Sequence, residues 1–424
     1  MLKRTRRATS GQGSSPGTLL LLCALLSGLV GLPPACSAAE EPAIAPAAPV
    51  RVAADRVQTL MDQMSLEQKV GQLLLVYFEG PALSPDLQRL ICEGHAGGIV
   101  LFSSAGNIQS VEQVTGLIAQ AQQAAIGQPA GVPLFVAVDQ EGGAVARLRR
   151  GVAVMPGQMA LAAGGSIDKA AELYRITAQQ LAALGINMNL APVLDVNTNP
   201  NNPIIGTRSF GSDPEQVAAF GRAAIVATQA AGVVATAKHF PGHGDTDVDS
   251  HVGLPVLGHD RSRLDAIELV PFRAAIAADV DAIMTGHLLV PAIDNDPTRP
   301  ATLSPNVITG LLRNELGFHG LVVSDAMGMK ALTQSLPLAE AAVRAIQAGV
   351  DVLSFGGEGL ASPADQMAVH ARLVQAVQSG EIPMSRLDDA VRRILATKQK
   401  RGILDRAIVT QVAADGVGNE GQTA

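Results

Sequence analysis

The segment of residues 238–251, "KHFPGHGDTDVDSH", concentrates side chains that could carry chemistry. Its ionisable members are Lys238, His239, His243, Asp245, Asp247, Asp249 and His251. Pro241, Gly242 and Gly244 interrupt any regular element, so the segment is expected to be a loop rather than part of a packed core. Two chemistries suit this composition, namely ligation of a metal ion and transfer of protons.

The metal interpretation starts from the H-x3-H spacing of His239 and His243, which is compatible with two ligands of one ion. Histidines at i and i+4 face the same way on a helix, however, whereas this segment is a loop broken by glycine. The segment by itself therefore leaves a metal-dependent hydrolase open as an alternative.

The proton-transfer interpretation starts from Asp249 and His251, which point the same way in an extended loop because they lie two residues apart. A carboxylate beside an imidazole fixes its tautomer and poises it for proton transfer near neutral pH. Asp325, in "VVSDAMGM", ends an apolar run, where a buried carboxylate is expected to be a metal ligand, a helix cap or a nucleophile. A carboxylate nucleophile that faces a proton donor across a pocket is the arrangement of a retaining glycosidase, here with histidine as the acid.

The elements that would position these residues are eight short apolar runs. They cover residues 72–78, 97–102, 134–139, 186–192, 233–240, 281–288, 321–327 and 351–355. The runs are continuous rather than alternating, which is typical of parallel strands buried on both faces. Helical patterns separate them, with starts predicted at Ser84-Pro85, Asp213-Pro214, Ser304-Pro305 and Ser362-Pro363. The sequence therefore predicts an α/β protein with a single (β/α)8 TIM-like barrel, and a doubly wound open sheet is the alternative.

Polar residues stand at or just after the ends of five of these runs. They are Asp139, Asn189, Asp195, Lys238, His239, His287, Ser324 and Asp325. The carboxyl ends of barrel strands share one face, so we expect these side chains to surround a single catalytic mouth.

The two ends of the chain are expected to lie outside the barrel. Residues 1–39 are typical of an export signal, with a basic start, an apolar run over 18–32 and small residues before a cleavage site near Ala38 or Ala39. A retained anchor helix is the alternative, and Cys36 is a candidate site for a lipid anchor. We expect a flexible linker over 40–55, the barrel over 56–402 and a polar tail over 403–424. The predicted location is the periplasm, the cell envelope or the extracellular space.

Composition narrows the classes of partner. The net charge is -7 and the body of the chain has no long basic run, which argues against binding of nucleic acid. Aromatic residues are 3% of the chain and tryptophan is absent, so a broad stacking platform for a long polymer is not expected. Cys92, in "LQRLICEG", is expected to be a buried structural thiol.

Four motifs together resemble a known family. They are "DQEGG" (139–143), "APVLDVNTNPNNPIIGTRSFG" (191–211), "KHFPGHGDTDVDSH" (238–251) and "VVSDAMGM" (322–329). In this order they are similar to the β-N-acetylglucosaminidase branch of glycoside hydrolase family 3, over roughly residues 58–400. The resemblance implies a retaining enzyme on a (β/α)8-type barrel that needs no metal and no cofactor.

The resemblance also implies roles for individual residues. Asp325 would be the nucleophile, His251 the general acid and then base, and Asp249 its dyad partner. The residues that would bind the sugar are Asp139, Arg147, Arg208, Lys238 and His239. Many relatives have an arginine directly after "DQEGG", where this chain has Ala144, which puts contacts at the pocket edge in doubt.

The remaining polar residues are expected to support the site. His243, Asp245 and Asp247 would hold the shape of the loop by local hydrogen bonds. His287 would be a wall residue or a satisfied core histidine, and Asp195 would brace the sugar site or cap a loop. Gly242 and Gly244 are hinge-capable, so the loop is expected to close over bound sugar, with a rigid capped turn as the alternative.

The resulting hypothesis is exo-hydrolysis of terminal β-linked N-acetylglucosamine, taken from a small carbohydrate substrate such as a peptidoglycan fragment. The alternatives are a β-N-acetylglucosaminide phosphorylase, another β-glycosidase of the same family, a metal-dependent hydrolase and a non-catalytic wall-binding protein. A histidine acid/base does not repel phosphate as a carboxylate does, which keeps the phosphorylase open.

Overall fold

The computed structural model describes residues 49–357 and 361–405 of the 424-residue chain. The predicted export signal over 1–39, with Cys36, lies outside the described residues, as do most of the predicted linker and tail. Among the described helices, none combines the length and the apolar character that crossing a bilayer requires.

The described chain has ten strands, and eight of them form a parallel ring at its centre. The strands are β1 (Leu74–Val76), β2 (Gly98–Leu101), β3 (Phe135–Val138), β4 (Gln140–Gly142), β5 (Val145–Ala146), β6 (Met188–Asn189), β7 (Val234–Phe240), β8 (Ala282–Thr285), β9 (Leu321–Ser324) and β10 (Leu353–Ser354). Eight of them form one sheet in the order β10-β1-β2-β3-β6-β7-β8-β9. A parallel bridge between Val323 and Val352 joins the two ends of that order and closes the ring. β4 and β5 form a separate antiparallel hairpin in the loop after β3.

Helices alternate with the barrel strands. They are α1 (Pro49–Gln63), α2 (Leu66–Gln72), α3 (Pro85–Cys92), α4 (Val111–Ile126), α5 (Gln158–Ala163), α6 (Ile167–Ala183), α7 (Pro214–Ala230), α8 (Arg261–Ala266), α9 (Val270–Ala277), α10 (Lys330–Thr333), α11 (Leu338–Ala348), α12 (Pro363–Gln378) and α13 (Met384–Lys400). Two short 3₁₀ turns (Gly206–Arg208 and Ala301–Leu303) and a π-helical segment (Asn306–Glu315) complete the pattern. The predicted TIM-like (β/α)8 barrel is confirmed, and the open sheet is not observed.

Local sequence explains where these elements begin. The side chains of Ser84, Asp213 and Ser362 each accept a hydrogen bond from a backbone N–H in the first turn of the following helix. Ser304 does the same for the π-helical segment, since its Oγ accepts from the N–H of Val307 at 3.2 Å. All four starts were predicted from a cap residue followed by proline.

The barrel strands are buried along their whole length, in agreement with the continuous apolar runs. Some are shorter than the runs that predicted them. The run over 186–192 yields only Met188–Asn189, because Pro192 lacks the N–H that the ladder needs. The ladder resumes as a single parallel bridge between Val193 and Lys238.

Two predicted boundaries differ from the structure. Helix α1 begins at Pro49, inside the predicted linker over 40–55, because proline is well suited to the first turn and alanines follow it. At the other end, Ile403 and Leu404 are each 2% exposed and belong to the core rather than to a polar tail. Arg56 donates to the carbonyl oxygen of Leu404 at 3.1 Å, which joins the two ends of the described chain.

Cys92 is half-buried at the last position of α3 and packs against the core as a free thiol, less enclosed than predicted. Burial raises the pKa of this thiol, which favours its neutral form.

Candidate active site

A cavity of about 280 Å³ opens at the carboxyl ends of the barrel strands. Of the eight predicted site residues, all except Asp249 line it: Asp139, Arg147, Arg208, Lys238, His239, His251 and Asp325. Its volume is at the small end of ligand pockets, which span roughly 300–1,000 Å³. The cavity therefore suits one small ring better than a long polymer.

Asp325 follows the last residue of β9 and is half-buried at the cavity wall. Its Oδ1 accepts a hydrogen bond from the N–H of Ala326 at 2.8 Å, and its own N–H donates to the carbonyl oxygen of Thr285 at 3.1 Å. Burial alone would raise the pKa of Asp325, but the nearby imidazole of His239 and the N–H of Ala326 outweigh it and lower the pKa to about 2. Asp325 caps no described helix, since the N-cap of α10 is Met329.

His251 and Asp249, which were predicted to act as a dyad, are in hydrogen-bond contact. The Nδ1 atom of His251 lies 2.8 Å from Oδ1 of Asp249, and the backbone N–H of His251 donates to the same oxygen at 2.9 Å. The contact assigns the proton to Nδ1 and leaves Nε2 as the atom that can exchange a proton with a ligand. The side chain of His251 is 53% exposed and that of Asp249 is 28% exposed, so the dyad is open to solvent.

The dyad lies on a loop whose shape is fixed by its own histidine. We call residues 241–253 the dyad loop. The hydroxyl of Thr246 donates to the carbonyl oxygen of His243 at 3.0 Å and accepts from Nδ1 of that histidine at 2.6 Å. Nε2 of His243 then accepts from the hydroxyl of Ser250 at 3.3 Å. Burial lowers the pKa of His243, which keeps this imidazole neutral and able to accept.

Asp245 and Asp247 differ from each other. Asp245 accepts from the hydroxyl of Thr198 at 2.8 Å and contacts Nε2 of His259, so it ties the dyad loop to neighbouring segments as expected. Asp247 is exposed, and no hydrogen bond is recorded for its side chain within residues 49–357 and 361–405. The expected supporting role is therefore visible for Asp245 and not for Asp247.

A buried cluster of charges forms the floor of the cavity. Nζ of Lys238 lies 2.7 Å from carboxylate oxygens of both Asp139 and Glu141. Arg208 forms a bidentate pair with Glu141, with both N···O distances 2.8 Å. Arg147 reaches Asp139 at 3.5 Å and stacks its guanidinium carbon 4.9 Å from the ring centre of Phe102. Such paired cations and carboxylates suit the hydroxyl groups of a sugar, because each can donate or accept charge-assisted hydrogen bonds.

Glu141 is the central member of this cluster and was not among the predicted site residues. Its side chain is 1% exposed. Burial would raise its pKa, but Lys238 and Arg208 reverse that effect and hold the pKa far below the ordinary range. The signal was present in "DQEGG", because Glu141 lies two residues after Asp139 and extended residues two apart share a face.

Asp195 is fully buried and serves His239 and the dyad loop together. It accepts from Nδ1 of His239 at 2.7 Å, from the N–H of His239 at 3.1 Å and from the N–H of His243 at 2.7 Å. Burial opposes ionisation of Asp195, but His239 and these donors outweigh it, so its pKa is lowered. Asp195 thus braces a cavity residue and also anchors the start of the loop, which combines the two alternatives predicted for it.

His287 is a satisfied core histidine. Its Nε2–H donates to the carbonyl oxygen of Ala326 at 3.0 Å, and its Nδ1 accepts from the hydroxyl of Thr302 at 2.7 Å. The side chain is fully buried, and burial lowers its pKa. His287 therefore supports the residue that follows Asp325 rather than the cavity wall.

The described residues contain no group of three or more His, Cys, Asp or Glu side chains arranged to hold a metal ion. The two histidines that suggested a metal site, His239 and His243, each use ring nitrogens for hydrogen bonds to Asp195, Thr246 and Ser250.

Comparison with known proteins extends this description. Residues 65–397 match the model of the glycosyl hydrolase family 3 N terminal domain. The chain is 38% identical over 337 residues to β-hexosaminidase A of Pseudoalteromonas piscicida, an alignment that covers 75% of this chain and 56% of that relative. It is 36% identical to β-hexosaminidase LpqI of Mycobacterium tuberculosis, over 79% of this chain and 83% of LpqI.

Solved structures of other proteins are also similar to this chain. A family 3 β-N-acetylglucosaminidase from Paenibacillus sp. str. FPU-7 superposes with a TM-score of 0.77 at 48% identity, over 80% of this chain and 63% of that chain. A β-glucoside phosphorylase, BglX, superposes with a TM-score of 0.73 at 25% identity, over 83% of this chain and 61% of that chain. This chain thus spans little more than half the length of several relatives that it matches. The family model covers most of the described barrel, and the chain belongs to glycosyl hydrolase family 3.

Proposed function

We propose that the chain is a retaining exo-β-N-acetylglucosaminidase that releases terminal β-linked N-acetylglucosamine. The observation that carries this proposal is that Asp325 and His251 line one cavity of about 280 Å³. The pairing of a carboxylate nucleophile with a separate proton donor is what retaining glycoside hydrolysis requires. The choice of sugar is supported by the relatives, which are named as β-hexosaminidases and a β-N-acetylglucosaminidase.

In the first step, a carboxylate oxygen of Asp325 attacks the anomeric carbon and the bond to the leaving oxygen breaks. The protonated His251 gives its Nε2 proton to that oxygen, so the leaving group departs as a neutral alcohol. Asp249 accepts the Nδ1–H of His251 at 2.8 Å and stabilises the imidazolium before the transfer. The low pKa of Asp325, about 2, keeps the nucleophile ionised until it attacks.

In the second step, the neutral His251 takes a proton from water through Nε2. The water oxygen attacks the anomeric carbon from the opposite face, and the bond to Asp325 breaks. Two inversions leave the sugar in its original β configuration. During both steps Asp139, Lys238 and Arg208 would hold the hydroxyl groups, with Arg147 and His239 at the edge of the same cavity.

Substitution of the two central residues tests the proposal. Asp325→Ala should lose nearly all activity on an aryl β-N-acetylglucosaminide, because no other group forms the covalent intermediate. His251→Ala should lose activity on poor leaving groups and keep it on very good ones, which depart without a proton. Unchanged turnover by the Asp325 variant would contradict the assignment.

We propose peptidoglycan fragments as the source of the sugar and the cell envelope or the exterior as the location. The predicted export signal over 1–39 and the scarcity of aromatic residues support this choice over a long polymer. Cys36 remains the candidate for a lipid anchor. Product analysis with purified muropeptides and with chitobiose distinguishes the sources, because preferred release from chitobiose would contradict the proposal.

Phosphorolysis is the second candidate, favoured by the similarity to the β-glucoside phosphorylase BglX. A neutral histidine as the acid/base does not repel the phosphate anion, so phosphate can take the place of water as the attacking group. Release of a sugar 1-phosphate that depends on added phosphate would support this candidate. We expect free sugar instead, at a rate that phosphate does not change.

A metal-dependent hydrolase and a non-catalytic wall-binding protein are tested by simpler measurements. We expect activity to survive EDTA, because His239 and His243 already use ring nitrogens in hydrogen bonds. Binding of sugar without turnover by the unmodified protein would favour the wall-binding role.

A further inference from the structure

We propose that Gln334 is a positioning residue that holds the dyad loop over the sugar cavity; this inference rests on the proposed function. Gln334 directly follows α10, the short helix that begins shortly after Asp325. In this role Gln334 orients the loop that carries His251 and does not contact the substrate.

The side chain of His251 does little to fix the position of the dyad loop. Both hydrogen bonds recorded for His251 within the described residues go to Asp249 of the same loop. The imidazole side chain is also 53% exposed, so packing does not fix it. The position of His251 relative to Asp325 therefore depends on contacts made by the loop residues around it.

Two of those contacts come from α10 and from Gln334, which follows it, and they lie on either side of His251. The N–H of Ala331 donates to the carbonyl oxygen of Ser250 at 3.3 Å. The side-chain amide of Gln334 donates from Nε2 to the carbonyl oxygen of Val252 at 3.1 Å. The backbone that carries His251 is thus joined at both neighbours to the segment that follows the nucleophile.

The first contact joins two backbone groups, so substitution of a side chain does not remove it. The N–H of Ala331 lies in the first turn of α10, where N–H groups have no partner within the helix. The carbonyl oxygen of Ser250 supplies that partner, and the hydroxyl of Ser250 reaches inward to Nε2 of His243 at 3.3 Å. Ser250 is therefore fixed from two directions. Val252 donates its N–H to the carbonyl oxygen of Asp249 within the loop at 3.0 Å, and among the described residues its hydrogen bond beyond the loop is the one from Gln334.

The second contact is the one that a substitution can remove. Gln334 and Val252 are both exposed, so loss of the amide leaves no buried polar atom without a partner. The fold should not depend on this hydrogen bond. Its loss should instead lower the fraction of molecules in which His251 stands at the cavity.

The test compares leaving groups. Gln334→Ala should lower kcat/KM roughly threefold to tenfold on chitobiose, whose leaving group needs a proton, as expected for loss of one hydrogen bond. On a dinitrophenyl β-N-acetylglucosaminide, kcat/KM should change by less than about twofold, because that group departs without a proton. Gln334→Glu, which lacks the donor, should resemble the alanine variant, and Gln334→Lys, which keeps a donor, should recover part of the loss.

The chain offers a matched control. Gln347 is also exposed, and its Nε2 donates to the carbonyl oxygen of Glu381 at 3.0 Å, on α11 and away from the cavity. Gln347→Ala should leave both substrates unaffected. Amide hydrogen exchange over residues 245–253 should accelerate in Gln334→Ala and not in the control.

Two results would overturn the inference. One is an equal loss on both substrates, which would indicate general damage to the fold, and the other is no loss on chitobiose. Failure of the proposed function is separately visible, because the unmodified protein would then not turn over either substrate or Asp325→Ala would retain activity.

Discussion

At the scale of single residues, charge compensates for burial around the cavity. The carboxylate of Glu141 is almost fully enclosed, yet it stays ionised because Lys238 and Arg208 surround it. Asp325 likewise stays ionised because the imidazole of His239 and the N–H of Ala326 outweigh its burial. Charged and hydrogen-bonding partners that offset desolvation thus keep both Glu141 and Asp325, the proposed nucleophile, ionised.

The low pKa of Asp325 has a consequence for the pH profile. A carboxylate with a pKa of about 2 loses its negative charge only as the pH falls through that value, so it is ionised at every pH above about 4. His251→Ala removes the proposed proton donor, and kcat/KM of this variant on a dinitrophenyl substrate should be flat from about pH 4 to pH 8. An acidic limb near pH 5 in this variant would contradict the assignment of that pKa to the nucleophile.

The residue types at the cavity could largely be predicted from the sequence. Asp139, Lys238 and Asp325 end apolar runs, and the barrel brings such positions together. Glu141 was missed because it belongs to the hairpin of β4 and β5, which no apolar run predicted. The choice between two roles for His287 needed the actual hydrogen bonds, since a buried histidine can either face a cavity or satisfy itself within the core.

At the scale of elements, the dyad loop depends on close packing at Gly244. A Cβ atom at Gly244 would lie 2.0 Å from the carbonyl oxygen of Val196, so the loop backbone presses directly on the segment after β6. The sequence suggested Gly244 as a hinge, and the structure indicates in addition that no larger residue fits there. Gly242 differs, since its φ of +137° is a conformation that side chains disfavour.

Substitution at Gly244 should therefore displace the dyad loop. Gly244→Ala should lower kcat/KM on chitobiose by about tenfold or more, because backbone atoms cannot yield as a flexible side chain can. Gly258→Ala is the matched control, since a Cβ atom there meets nothing within 4 Å, and it should be nearly neutral. Similar activity of the two variants would contradict the close-packing account.

The order and number of elements followed from sequence more reliably than their lengths. Continuous apolar runs predicted all eight barrel strands, because burial on both faces leaves a strong pattern. The loops carried no comparable pattern. The contacts of Ser250 with α10 and of Val252 with Gln334 arise from tertiary packing, which no local sequence pattern predicts.

At the scale of the whole molecule, the last long helix seals the floor of the barrel with a buried lysine. Lys398 is fully buried, and its Nζ donates to Oε1 of Gln72 at 3.0 Å and to the carbonyl oxygen of Gly97 at 2.9 Å. It also lies 4.9 Å from the ring centre of Phe135. Burial lowers the pKa of Lys398 to about 7, far below its ordinary value near 10.5.

This depressed pKa predicts how stability changes with pH. The folded state holds fewer protons than the unfolded state between about pH 7 and 10.5, so the penalty from Lys398 is complete below pH 7 and fades as the pH rises. Lys398→Met removes this penalty, so its gain in the free energy of unfolding over the unmodified protein should shrink by ~4 kcal/mol from pH 6 to pH 10. Urea unfolding at several pH values measures this difference.

The control for that measurement is Lys169→Met, since Lys169 is exposed on α6. It should show no such trend. A difference for Lys398→Met that stays constant with pH would mean that the lysine is charged in the folded protein across the range.

The first and last residues of the barrel domain were the feature at this scale that the sequence predicted least well. The polar composition after residue 402 gave no indication that Ile403 and Leu404 are buried. The Pro/Ala-rich stretch before residue 56 likewise gave no indication of the first turns of α1. Amino-acid composition is an average over a stretch of sequence, whereas burial depends on individual apolar side chains and on the surfaces that they contact.

The central claim is that Asp325 forms a covalent bond to the sugar across the cavity from His251. The most direct measurement is peptide mapping by mass spectrometry after reaction with 5-fluoro-β-N-acetylglucosaminyl fluoride, which slows both steps but keeps a good leaving group. We predict one added fluorinated sugar, located on Asp325, and none in Asp325→Ala. A label on another residue, or turnover with inverted configuration and no label, would contradict the account.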